Sequence, residues 1–130
     1  SAPKVVENVQ LFSNPDPVSE EEKELLQRVV GTMLRLVPCT ACRYCCDACP
    51  QHLDIPKLIA LYNEASFERS FTLGFTLRAM GEEELPAACL ACGACKELCP
   101  QEIDIPDVMA KFAEIAPTLP GMAPPAPRPA

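Results

Sequence analysis

The sequence has no tryptophan, a single histidine (His52) and no run of 18 apolar residues. Without such a run, no segment is expected to cross a membrane as a helix. The first thirty residues lack a basic stretch followed by a long apolar one, so no signal peptide is expected and the chain reads as cytoplasmic. Basic residues are scarce too. There are 11 Lys and Arg against 18 Asp and Glu, a formal charge of −7. A nucleic-acid binder that tracks phosphates shows the opposite balance, so neither nucleic acid nor membrane is expected as a partner. The 130 residues fall short of the roughly 250 of a TIM barrel and suit one ordinary domain. No phosphate-binding glycine loop and no nucleophile–base pair is recognisable, so no catalytic residue is expected in this chain.

Cysteine, in contrast, is abundant. There are nine, about 7% of the chain and just below the roughly 8–10% typical of disulfide scaffolds. They form two groups, Cys39 to Cys49 and Cys89 to Cys99, and a shift of 50 residues lays one on the other. Eleven of the 22 positions from 39 to 60 are then identical, among them Cys39/Cys89, Cys42/Cys92, Cys45/Cys95, Cys49/Cys99 and the Asp-Ile-Pro of 54–56 and 104–106. A self-match this dense means one supersecondary unit used twice. Two copies are too few for a solenoid, which leaves a pseudo-symmetric pair around a shared centre.

The flanking pattern is helical. Val5 to Phe12 forms a short amphipathic stretch, and Asn14 to Pro17 reads as a turn or linker. Ser19 and Glu22 fit a capping box, and the apolar residues from Leu25 to Val37 recur at helical spacing until Pro38. Asp54 and Asp104 can cap helices that begin at Ile-Pro, where proline's missing N–H is not needed. Residues 67–80 alternate like a strand but also suit a helix that Gly81 would end, and no second strand is available to pair. From Pro117 on, six of fourteen residues are proline, which predicts a disordered or extended tail. The expected organisation is therefore a short helix and linker over 1–18, an all-α two-site domain over 19–116 and a proline-rich tail over 117–130.

Both cysteine groups read C-x2-C-x2-C-x3-C-P, the run that binds 4Fe-4S clusters in bacterial ferredoxins, where the fourth cysteine serves the other cluster. Three thiolates at three-residue intervals let a tight loop wrap one cube, and the fourth follows on a short helix. The expected ligand sets are Cys39, Cys42, Cys45 and Cys99 for one cluster, and Cys89, Cys92, Cys95 and Cys49 for the second. Structural zinc also uses C-x2-C pairs but has no need of a third thiol at the same interval. A disulfide framework fits poorly with an odd cysteine and no signal peptide. Cys46, which faces Lys96 in the second copy, is read as a non-ligand. His52 is read as solvent-facing or supporting, because eight cysteines already satisfy two cubes. Arg43, Lys96 and the two Glu triplets (20–22 and 82–84) read as solvated charge. Two clusters with four thiolates each would add a formal charge of about −2 apiece, which suits partners with basic surfaces.

Small bacterial two-cluster ferredoxins join their motifs with β-hairpins, whereas 39 residues separate Cys49 from Cys89 here, enough for two helices. Several segments carry a closer likeness: Glu7 to Phe12, the Glu-rich helix after Pro17, Pro38 to Cys45, and Asp54 to Pro56 through Leu61-Tyr62-Asn63-Glu64. Together with the motif cysteines they resemble the C-terminal ferredoxin domain of the iron–sulfur-containing aldo/keto reductase family. The resemblance covers roughly residues 7 to 115. It implies an α-helical ferredoxin fold, two 4Fe-4S clusters, and electron traffic to or from an N-terminal nicotinamide-binding barrel that lies outside this sequence. The chain alone is then expected to be an electron-transfer domain and not an enzyme. Two alternatives are a free-standing ferredoxin-like subunit of a multi-subunit redox enzyme, of heterodisulfide-reductase or succinate-dehydrogenase type, and a zinc-stabilised interaction domain.

Overall fold

A computed structural model describes residues 2–13 and 17–122. It contains seven α-helices and no strand among the described residues: α1 Ala2–Ser13, α2 Glu20–Met33, α3 Tyr44–Asp47, α4 Ile55–Phe67, α5 Phe71–Arg78, α6 Ala94–Glu97 and α7 Ile105–Ile115. Three short 3-10 turns cover Glu82–Glu84, Pro86–Ala88 and Ala116–Thr118. The fold is all-α, as the periodicity predicts. None of the helices is long and apolar enough to cross a membrane.

The chain divides into two compact units, one ending at Arg35 and one beginning at Leu36. The sequence-based boundary between 18 and 19 instead groups the Ser19 helix with the cysteines. In the first unit, the Ser19 hydroxyl accepts the Glu22 N–H at 3.2 Å while the Glu22 carboxylate accepts the Ser19 N–H at 2.8 Å. This is the predicted capping box, and it satisfies two amide donors that a helix start leaves free. Leu25, Leu26, Val29 and Val30 of α2 are exposed.

The second unit is built on the repeat. Asp54 and Asp104 each accept the N–H three residues on, from Lys57 and Asp107, both at 3.4 Å, and so start α4 and α7. Ile55, Leu58, Ile59, Ile105, Met109 and Phe112 are fully or almost fully buried between these helices, and Leu73 and Leu77 of α5 join them. Tyr62 meets Phe112 edge to face, with ring centres 5.7 Å apart. Such a pair adds roughly 0.5–1.5 kcal/mol to the burial itself. The core thus consists of two copies of the same helix packed on each other, and the cysteine loops lead directly into it.

Three local expectations change. Helix α2 ends at Met33 and does not run on to Val37. The Asn63 amide holds both polar groups of the Val37 backbone: Oδ1 accepts the Val37 N–H and Nδ2 donates to its carbonyl, each at 2.9 Å. A helix through Val37 would need those groups itself. The helix expected over 67–80 is present but shorter, as α5: Phe67 closes α4, Glu68 is extended, and the Ser70 hydroxyl caps the new start by accepting the Leu73 N–H at 3.1 Å. Gly81 does not terminate α5; it has ordinary extended dihedrals and begins the 82–84 turn.

The tail expected from Pro117 is corrected in its first part. Residues 116–122 are packed: Leu119 is 3% exposed, and a Cβ on Gly74 would collide with the Pro120 carbonyl oxygen. The prolines stop α7 from continuing, but Leu119 is buried in the core, Met122 packs against it, and the backbone of Pro120 and Met122 lies against Gly74. The remainder of the tail, 123–130, and most of the expected linker, 14–16, lie outside the described residues.

Candidate metal centre

The two cysteine loops repeat in backbone conformation as well as in sequence. Ala41, Arg43 and His52 adopt positive φ of 55°, 68° and 53°, and their counterparts Ala91, Gly93 and Glu102 adopt 51°, 82° and 53°. Five of these six are not glycine. Each left-handed residue costs roughly 1–2 kcal/mol, so the loop shape is held by its surroundings. The same hydrogen bonds recur: the amides of Cys46, Cys49 and His52 bond the carbonyls of Arg43, Cys46 and Cys49, and those of Lys96, Cys99 and Glu102 bond Gly93, Lys96 and Cys99, all at 2.9–3.2 Å. Each loop thus curls around a space, passes through one short helix (α3 or α6) and delivers its fourth cysteine to the far side.

These loops enclose two cavities. One is lined by Cys39, Cys42 and Cys45 from the first loop and by Cys99 from the second. The other is lined by Cys89, Cys92 and Cys95 and by Cys49. The eight motif cysteines are therefore brought together in two groups of four, each drawing three thiols from one loop and one from its partner. Cys45 and Cys95 are buried, Cys42 and Cys92 are exposed, and the other four are half-buried. No three His, Cys, Asp or Glu side chains among the described residues meet closely enough to hold a single metal ion. The thiols stand around a volume instead, which suits a polynuclear group better than one tetrahedral ion.

The two buried thiols resist ionisation, a cost that metal binding has to meet. Burial, and secondarily the neighbouring Cys46, pushes the Cys45 thiol up to about 12, and burial likewise raises Cys95. Both remain protonated at neutral pH until a cation displaces the proton, as thiolate ligation requires. The Ala91 N–H donates to Cys89 Sγ at 3.5 Å.

Of the remaining candidates, Cys46 and His52 fall outside the cavity walls and Arg43 does not. Cys46 is half-buried against the core and lines neither cavity. His52 is exposed and also lines neither. Arg43 does line the Cys39 cavity, and its Nη1 donates to Asp54 Oδ1 at 3.1 Å. That hydrogen bond, then the Asp54 charge and the nearby Cys46 and Cys45, hold the guanidinium protonated even more firmly than usual. Lys96 makes the matching contact to Asp104. Both cations are exposed, as solvated charge would be, but each is tied to an aspartate. They occupy non-equivalent positions of the repeat, so aligning the copies does not reveal that they do the same job.

Eight thiols, all soft ligands, in two interlocked groups of four around cavities define an iron–sulfur protein of the helical ferredoxin-like class. The chain belongs to the 4Fe-4S dicluster domain family, whose sequence model matches residues 38–103, just over half of its length. That match spans both motifs. No curated protein and no solved structure was found to match the chain.

Proposed function

We propose that the chain is an electron-transfer module carrying two 4Fe-4S clusters, with Cys39, Cys42, Cys45 and Cys99 holding one and Cys89, Cys92, Cys95 and Cys49 the other. The observation that carries this reading is the crossed lining of the two cavities, each with three thiols of one loop and the fourth of the other. Such clusters, when bound, accept and release single electrons. The chain's own part is to fix two cluster sites on one packed core, so that little has to move when an electron arrives. The α4–α7 core positions both fourth cysteines at once. Exposed Cys42 and Cys92 leave one edge of each site open to a partner.

In this reading the substrate chemistry belongs to the partner. The family resemblance of the cysteine-rich segments points to a nicotinamide-binding aldo/keto reductase barrel preceding residue 1 on the same polypeptide, and to a cytoplasmic setting. A reading frame encoding about 250 barrel residues upstream of Ser1 is the expected finding; a stop codon there overturns the fused arrangement. The cluster assignment is tested on anaerobically prepared protein. About eight irons and eight acid-labile sulfides per chain, with coupled EPR signals after dithionite reduction, are expected. Zinc without sulfide overturns it.

A further inference from the structure

The repeat makes the two cavities near copies, so their differences point to separate roles. At the fourth position after the first thiol, both loops turn through a left-handed residue, Arg43 at φ 68° and Gly93 at φ 82°. Arg43 is the one charged side chain, thiols aside, that lines either cavity. The second copy has its own cation, Lys96, but this occupies the place of Cys46, turns to Asp104 and leaves the cavity wall uncharged. Both walls are otherwise largely apolar and carry equivalent residues, Pro56 and Gln101 in the Cys39 cavity against Pro106 and Gln51 in the Cys89 cavity. The differences in polarity reduce to Thr40 and Arg43 against Leu90 and Gly93.

Resting on the two-cluster reading above, we propose that Arg43 sets the order of reduction, so that the Cys39 site takes up an electron before the Cys89 site. Reduction adds one negative charge to a group that is already anionic. A guanidinium held beside the cavity favours that added charge, and the Cys89 cavity has no charged residue, thiols aside, in its lining to do the same. Asp54 offsets part of the effect, but it is not part of the cavity lining, whereas Arg43 is. The carboxylate therefore reduces the cation's action on the cavity without replacing it. An electron shared by the pair consequently rests on the Arg43 side. One that enters at the Cys89 site moves downhill to the Cys39 site, oxidising the first by one electron and reducing the second by one.

The test is an EPR-monitored redox titration of the full chain, loaded anaerobically, with iron and sulfide counted on the same samples. The natural sequence is expected to show two separate reduction steps. Arg43→Gln should lower the upper step and leave the lower one in place, while Arg43→Lys should largely preserve both. Asp54→Asn should raise the upper step, the opposite sign, which a purely structural role for the ion pair would not produce. The reciprocal variant Gly93→Arg should raise the lower step. It places arginine in the conformation Arg43 already adopts, and a Cβ at Gly93 meets no atom within 4 Å.

If Arg43→Gln retains its iron and sulfide and neither step moves, or both move equally, the proposal is overturned. If that variant loses its iron, Gly93→Arg decides: an unmoved lower step overturns the proposal. A natural chain holding no iron and sulfide removes the two-cluster reading itself. A chain that holds both but shows unmoved potentials removes only the role of Arg43.

Discussion

Arg43 Nη1 lies 3.1 Å from Asp54 Oδ1, and the same Asp54 carboxylate accepts the Lys57 N–H that opens α4. Fifty residues on, Asp104 does the same double duty with Lys96 and Asp107. Each aspartate therefore ties a cysteine loop to the helix that follows it. Asp54→Ala and Asp104→Ala remove a helix cap and an ion pair together, whereas Arg43→Ala and Lys96→Ala remove only an exposed ion pair, a weak contributor. The temperature at which cluster absorbance bleaches should fall further for either aspartate variant than for the matching cation variant. Equal falls would mean that the cap contributes nothing.

The capping box of α2 predicts a pH dependence. The Ser19 backbone amide, then its hydroxyl, hold the Glu22 carboxyl below the usual carboxylate range. A carboxylate with a lowered folded pKa contributes stability that is present above its ordinary value of 4.5 and is lost as pH falls through the lowered value. Both residues lie in the unit that ends at Arg35 and has no cysteine, so the readout does not depend on acid-labile sulfide. An NMR titration should give Glu22 a midpoint below the ordinary 4.5, and Ser19→Ala should move it back toward that value. Ser19→Ala should also cost that helix about 1 kcal/mol.

Two glycines predict opposite signs. Gly31 lies within α2 with nothing within 4 Å of an added Cβ, so Gly31→Ala should stabilise that helix by about 0.5–1 kcal/mol. Gly74 lies within α5 under the Pro120 carbonyl, so Gly74→Ala should displace residues 116–122 and expose Leu119. Helical circular dichroism on heating reads the first effect, and proteolysis near Leu119 the second. A Gly74→Ala chain as resistant as the parent would show that the segment does not depend on this close approach.

Much of the site was legible because ligand chemistry constrains spacing locally: three thiols at three-residue intervals must share one loop, and the 50-residue repeat doubles the signal. Helix starts were legible for the same reason, since Ser19, Asp54 and Asp104 cap amides only three residues away. What was missed depends on distant partners. Helix α2 stops early because Asn63, 26 residues beyond Val37, takes the Val37 backbone. Leu119 is ordered because Gly74 is bare. Neither relationship leaves a periodic trace. The pairing of Arg43 and Lys96 with aspartates was not legible because those aspartates lie 11 and 8 residues away, outside any one helical turn.

The crossing of the fourth cysteines is tested most directly by paired substitutions, read as the EPR signal of intact 4Fe-4S clusters after reduction. Cys39→Ala with Cys99→Ala removes two thiols from one cavity and none from the other, so one intact cluster should remain. Cys89→Ala with Cys99→Ala takes one thiol from each cavity, so no four-thiolate cluster should remain. If the first pair abolishes both signals and the second spares one, each loop supplies all four ligands of its own cluster, and the interlocked arrangement is wrong.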